Sequence, residues 1–61
     1  MLLVENIKKA CSMNNITIRE LERRAGLPEH SIYKWNRNVP SVDRVARVAD
    51  ILKTTVEQLI K

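Results

Sequence analysis

Apolar residues recur along this chain at helical spacing, interrupted by short polar breaks. Leu3, Ile7, Ala10 and Cys11, at offsets of four, three and one, mark one face of a helix over roughly residues 3–13. Glu5, Lys8, Lys9 and Ser12 fall on its outer face. Asn14-Asn15 ends it, because Asn tolerates the left-handed conformation that closes a helix. Thr17-Ile18-Arg19-Glu20 then reads as a capping box. The Thr17 hydroxyl accepts the amide three residues on, Glu20 reaches back, and Ile16 and Leu21 form the staple. A second helix is expected over about 18–25, stopped by Gly26. Leu27-Pro28 opens a third helix over about 29–36 that buries Ile32 and Trp35, with Asn38 as its left-handed stop. Ser41 caps a fourth, with Asp43 in its first turn and Val42, Val45, Val48, Ala49 and Leu52 as its stripe; Arg44, Arg47 and Asp50 stay outside. A last capping box, Thr55-Val56-Glu57-Gln58, starts a short fifth helix with Leu59 inward. The pattern predicts an all-α, compact five-helix bundle occupying residues 1–61 as a single domain.

Composition agrees with that picture and removes other classes. Sixty-one residues make one small domain, and 44% hydrophobic with 30% charged residues is globular composition. One glycine and two prolines are too few turn formers for a sandwich or barrel. The single Cys11 has no disulfide partner, and Cys11 with His30 cannot complete a structural zinc site, so neither metal nor cofactor is implied. Cys11 is read as a small buried apolar residue. No apolar run approaches the ~18 residues of a membrane span, and Met1-Leu2-Leu3-Val4 is too short for the apolar part of a leader. No membrane association and a cytoplasmic location are therefore expected. No nucleophile, general base or metal set converges, so no enzyme is expected. Eleven Lys and Arg against seven Asp and Glu leave a net charge of +4, which suits a polyanionic partner. Residues 17–38 hold five basic and three acidic residues, so this excess is no broad cationic stripe.

The second and third helices, joined through Gly26-Leu27-Pro28, have the arrangement of a helix-turn-helix, whose second helix enters a DNA major groove. The neighbouring positions sharpen this. Thr17-x-x-Glu20-Leu21, Gly26-Leu27, Ser31-Ile32, Trp35, Pro40-Ser41, Val45, Val48-Ala49, Leu52 and Thr55-x-x-x-Leu59 resemble the Cro/C1-type (XRE) helix-turn-helix family, and the likeness runs from the first helix to the fifth. The resemblance implies a fold of the lambda-repressor type that binds double-stranded operator DNA, usually as a homodimer, in bacterial or phage transcription regulators and in many antitoxins. It implies no cofactor.

Carried over position by position, the resemblance puts base contacts on Glu29, His30 and Lys34. Flanking or backbone contacts fall on Thr17, Ile18, Arg19, Pro28, Ser31, Tyr33, Arg37 and Asn38. Trp35 is assigned to the core, and Arg23 and Arg24 to a solvated face beside Glu20. Four positions depart from the family pattern. Glu22 stands where a small residue usually packs between the two helices, and is expected to lean outward and splay the pair. Pro28 replaces the usual Ser or Thr cap, which is typically worth ~1 kcal/mol. Ile18 stands where Gln often meets a phosphate, a contact that is lost or passes to Arg19. The loop from Asn38 to Pro40 lacks the usual lysines. The leading expectation is a sequence-specific repressor docking its third helix in the major groove of a pseudo-palindromic operator. The alternative is a protein-interaction module, an antitoxin or anti-repressor using the same fold to hold a protein partner.

Overall fold

A computed structural model describes residues 3–61; Met1 and Leu2 of the leading apolar run lie outside the described residues. The described residues are all-helical. In chain order come α1 (Leu3–Met13), α2 (Ile18–Ala25), a single 3₁₀ turn (Ile32–Lys34), α3 (Val42–Ile51) and α4 (Val56–Ile60). Four α-helices therefore replace the five expected, and the third helix of about 29–36 is reduced to that 3₁₀ turn. The helices fill a body of 24 × 23 × 18 Å. α2 packs on α3, α4 closes against α1 and α3, and α1 touches α2.

Local chemistry explains each boundary. Asn15 is left-handed (φ 57°), and the Ile16 amide reaches the Cys11 carbonyl at 3.1 Å, which closes α1. The Thr17 hydroxyl accepts the Glu20 amide at 3.0 Å, and α2 stops where Gly26 turns to φ 71°. Only half of the capping box forms, because the Glu20 carboxylate turns outward to Arg24 at 3.0 Å and Arg23 at 3.5 Å. Ser41 and Thr55 cap α3 and α4 through the amides of Arg44 (3.4 Å) and Gln58 (3.1 Å). Asn38 is not the left-handed stop; among the described residues that conformation belongs to Asn15, Gly26, His30 and Lys53.

The third helix fails to propagate for a physical reason. Pro28 brings neither an amide nor a side-chain acceptor, and His30 at φ 67° lies outside the helical region, so no i→i−4 ladder can start. The segment uses three-residue steps instead, Ser31 to Pro28, Lys34 to Ser31, Trp35 to Ile32 and Arg37 to Lys34 at 3.0–3.2 Å, with one four-residue bond, Asn38 to Lys34 at 2.8 Å, at its end. In a 3₁₀ turn residues three apart eclipse, so Ile32 and Trp35 still enter the core side by side.

The core is one cluster drawn from every element: Leu3, Val4, Ile7 and Cys11; Leu21 and Ala25; Ile32 and Trp35; Val45, Val48, Ala49 and Leu52; and Leu59. Val42 departs from the expected stripe and is 72% exposed, beside Val39 at 71%. Polar side chains staple the cluster. Asn6 Nδ2 donates to the Leu59 carbonyl (2.7 Å) and Asn14 Nδ2 to those of Ala10 (2.8 Å) and Leu52 (3.1 Å). Arg47, expected to be merely solvated, donates to the Ala25 carbonyl at 3.3 Å, placing its charge at the negative end of α2.

The two left-handed positions around the turn give opposite expectations. At Gly26 an added Cβ has room, 3.9 Å from Arg47 Nη1, so Gly26→Ala meets only backbone strain. It should cost about 1 kcal/mol and lower the thermal midpoint by roughly 4–8 °C. His30→Gly relieves strain of the same kind and should raise stability by about 0.5–1 kcal/mol in the same unfolding measurement.

Candidate nucleic-acid interface

Between Gly26 and Pro40 the chain is almost all loop, yet it is fastened at three points. Ile32 and Trp35 are buried and anchor its middle. Asn36 fastens its far end: Asn36 Oδ1 accepts the Val4 amide at 3.3 Å at the start of α1, and Asn36 Nδ2 donates to Glu5 Oε2 at 3.2 Å. That hydrogen bond holds the Glu5 carboxyl below its ordinary value of 4.5.

The near end is fastened by Glu22, which does not lean outward. It is 1% exposed, and its carboxylate accepts two amides of the loop, His30 N–H at Oε1 (3.1 Å) and Ile32 N–H at Oε2 (3.2 Å). The two helix-turn-helix segments are therefore tied together rather than splayed. The loop from Leu27 to Ser31 lacks a capping side chain of its own; Ser31 Oγ is buried without a partner instead of capping.

These three anchors set out the residues the family resemblance singled out. Glu29 and His30 sit at the exposed tip, with side chains 56% and 71% exposed. Glu29 Oε2 lies 3.9 Å from Arg19 Nε of α2 and 3.5 Å from His30 Nε2. Pairs this exposed contribute little to stability and open readily to a competing partner. The Tyr33 ring is half exposed, tilted against the His30 ring at 6.1 Å, with Lys8 Nζ of α1 5.4 Å from its centroid. Lys34 is exposed at the end of the 3₁₀ turn, and Arg37 and Asn38 follow, their amides on the Lys34 carbonyl at 3.0 and 2.8 Å. Pro28 is exposed before the tip. Thr17 and Ile18 stand at the capped start of α2, with Ile18 partly buried on the core.

Charge is distributed unevenly over this surface. Arg23 and Arg24 are occupied by Glu20, Arg19 by Glu29, and Glu22 by backbone amides. Among the described residues of the motif, Lys34 and Arg37 have no ion-pair partner within 4.0 Å. An open cleft beside the turn is lined by Gly26, Pro28, Ser41, Asp43, Arg44 and Arg47. Among the described residues no cluster of His, Cys, Asp and Glu could hold a metal ion, and no helix is long and apolar enough to cross a membrane. Burial pushes the Cys11 thiol up, which makes it a poor nucleophile.

Sequence reading missed three residues that shape this surface: Lys8, Asn36 and the inward course of Glu22. Lys8 and Asn36 act across 25 or more residues of chain and carry no local signal. Glu22 was visible as a departure from pattern; its direction was not.

The model of the Cro/C1-type HTH DNA-binding domain family matches residues 6–61, and the chain belongs to that family. No curated protein and no solved structure matches it. Membership makes the molecule a helix-turn-helix DNA-binding domain of the kind found in transcription regulators.

The Glu5 hydrogen bond gives a pH expectation. A carboxyl whose folded pKa is lowered contributes stability above its unfolded value of 4.5 and loses it as pH falls through the lower, folded value. Asn36→Ala should raise the Glu5 pKa toward its ordinary value in an NMR titration. The stability gap between variant and wild type should then narrow as the medium is acidified below that value.

Proposed function

We propose that the chain is a cytoplasmic transcription regulator, a repressor of bacterial or phage type, that binds a pseudo-palindromic operator as a homodimer. The segment from Glu29 to Arg37 enters the major groove. The observation that carries this is Lys34 and Arg37, one turn apart and unpaired, on a segment anchored at both ends within a DNA-binding family. Lys34 donates to a guanine edge, His30 to a guanine or a phosphate, and Glu29 accepts from a cytosine amine. Arg37 clamps a phosphate, with Asn38 beside it, while Pro28, Ser31 and Tyr33 flank the reading edge. Thr17 and Ile18 at the start of α2 meet the backbone, and Arg19 supplies the charge that Ile18 lacks once the Glu29 pair opens.

The dimer follows from size. One copy offers a single short reading segment, so useful affinity needs a second half-site about one helical turn away. Ile60 on α4, 45% exposed, is the apolar residue we assign to the contact between copies. A protein-binding role for the same fold draws support from Val39 and Val42, both over 70% exposed on either side of Pro40, and from the outward carboxylate of Glu29.

Selection from a random duplex pool at low salt, followed by titration against salt, tests the reading. A single enriched, two-fold related motif is expected, with a log–log slope of about −0.9 per phosphate contacted. No enrichment sinks it. Lys34→Ala together with Arg37→Ala should abolish enrichment while leaving Trp35 fluorescence and helicity intact. The salt slope should fall by about one for the phosphate lost at Arg37. Unchanged regulation in cells carrying that double variant would favour the protein partner instead.

A further inference from the structure

We propose that Glu22 is the positioning residue of the reading segment: its buried carboxylate stands in for a helix cap and holds the His30 and Ile32 amides so that Glu29, His30 and Lys34 are presented from a non-helical turn. This role rests on the DNA-binding reading above. Three observations meet here. Glu22 is a charged side chain only 1% exposed, and both of its oxygens are used, at 3.1 and 3.2 Å, on amides eight and ten residues further along the chain. The segment it holds has no cap of its own, since Pro28 lacks an acceptor and Ser31 Oγ makes no hydrogen bond. His30, between Pro28 and the core anchor Ile32, keeps a left-handed backbone (φ 67°) that an L-residue leaves unless neighbours fix it.

The arrangement has a consequence for recognition. Amides at the start of a helical segment commonly bind phosphate. Here two of them are occupied by the protein's own carboxylate, in the place such an anion would take. Those two amides are therefore closed to phosphate. Removing the carboxylate leaves two inward amides without acceptors and frees the tip, so the loss falls on base discrimination and not on the phosphate contacts of Arg37 and the start of α2.

Amide hydrogen exchange on the 15N-labelled full chain and DNA binding test this together, with wild type, Glu22→Gln and Glu22→Ala. The probes are a duplex enriched by wild type from a random pool and a scrambled duplex of equal length. In Glu22→Ala, exchange at His30 and Ile32 should accelerate by about tenfold or more beyond the change at Val48; Glu22→Gln, with one acceptor oxygen, should fall between. Glu22→Gln should lose about tenfold in affinity for the selected duplex while affinity for the scrambled duplex and the salt slope hold. Unchanged exchange at the two amides overturns the assignment, and so does an equal loss on both duplexes, which is what a purely structural role gives. If Glu22→Ala does not fold, Glu22→Gln and the wild-type pattern decide, because fast exchange at His30 and Ile32 in wild type also overturns it. A wild-type chain that enriches no duplex removes the DNA reading and the positioning role with it; enrichment with an unaffected Glu22→Gln removes the role alone.

Discussion

A carboxylate taken out of water is costly unless hydrogen-bond donors surround it, and in so small a domain few donors are to spare. Glu22 obtains them from the backbone, from the His30 and Ile32 amides of the segment that follows the turn. Each side satisfies the other: the carboxylate would be unpaired without the loop, and the loop amides would be orphaned without the carboxylate. Much of the motif depends on this exchange. It fixes where the chain goes after Gly26, and so where Ile32 and Trp35 enter the core. It also permits the left-handed turn at His30, which an uncapped segment behind Pro28 would have little reason to keep.

The same economy appears elsewhere. Asn6, Asn14, Asn36 and Arg47 each bridge to the backbone of a distant element, joining α1 to α4, α1 to the end of α3, α1 to the reading segment, and α3 to α2. A domain of this size buries a smaller share of its surface than a larger one, so such staples complement a core of thirteen apolar side chains among the described residues. Long-range polar contacts of this kind also position the candidate interface. Asn36 reaches α1 from one end of the reading segment and Glu22 holds the other, leaving a short exposed stretch with fixed ends.

Electrostatics acquires meaning only within that geometry. The +4 of the whole chain is modest, and much of the positive charge in the motif is absorbed internally, Arg23 and Arg24 by Glu20 and Arg19 by Glu29. What is left over is local: Lys34 and Arg37, three residues apart. A surface of this kind favours recognition through a few placed groups over broad attraction to polyanions.

The helices α1, α2, α3 and α4 were legible in the chain because their signals are local. Apolar spacing marks one face, and Thr17, Ser41, Thr55, Asn15 and Gly26 act on amides or carbonyls only a few residues away. The family was legible for a related reason, since it is carried by many spaced positions at once. The third helix was misread because Ile32 and Trp35, three residues apart, suit an α-helix and a 3₁₀ turn equally well. Choosing between them fell to Pro28, to the backbone at His30 and to a carboxylate on another helix. The sequence by itself determined α1, α2, α3 and α4 and the turn at Gly26. Only the tertiary structure decided that Glu22 turns inward, that the reading segment is a pinned loop, and that Lys8 and Asn36 join it, because each of those contacts spans residues that no local periodicity connects.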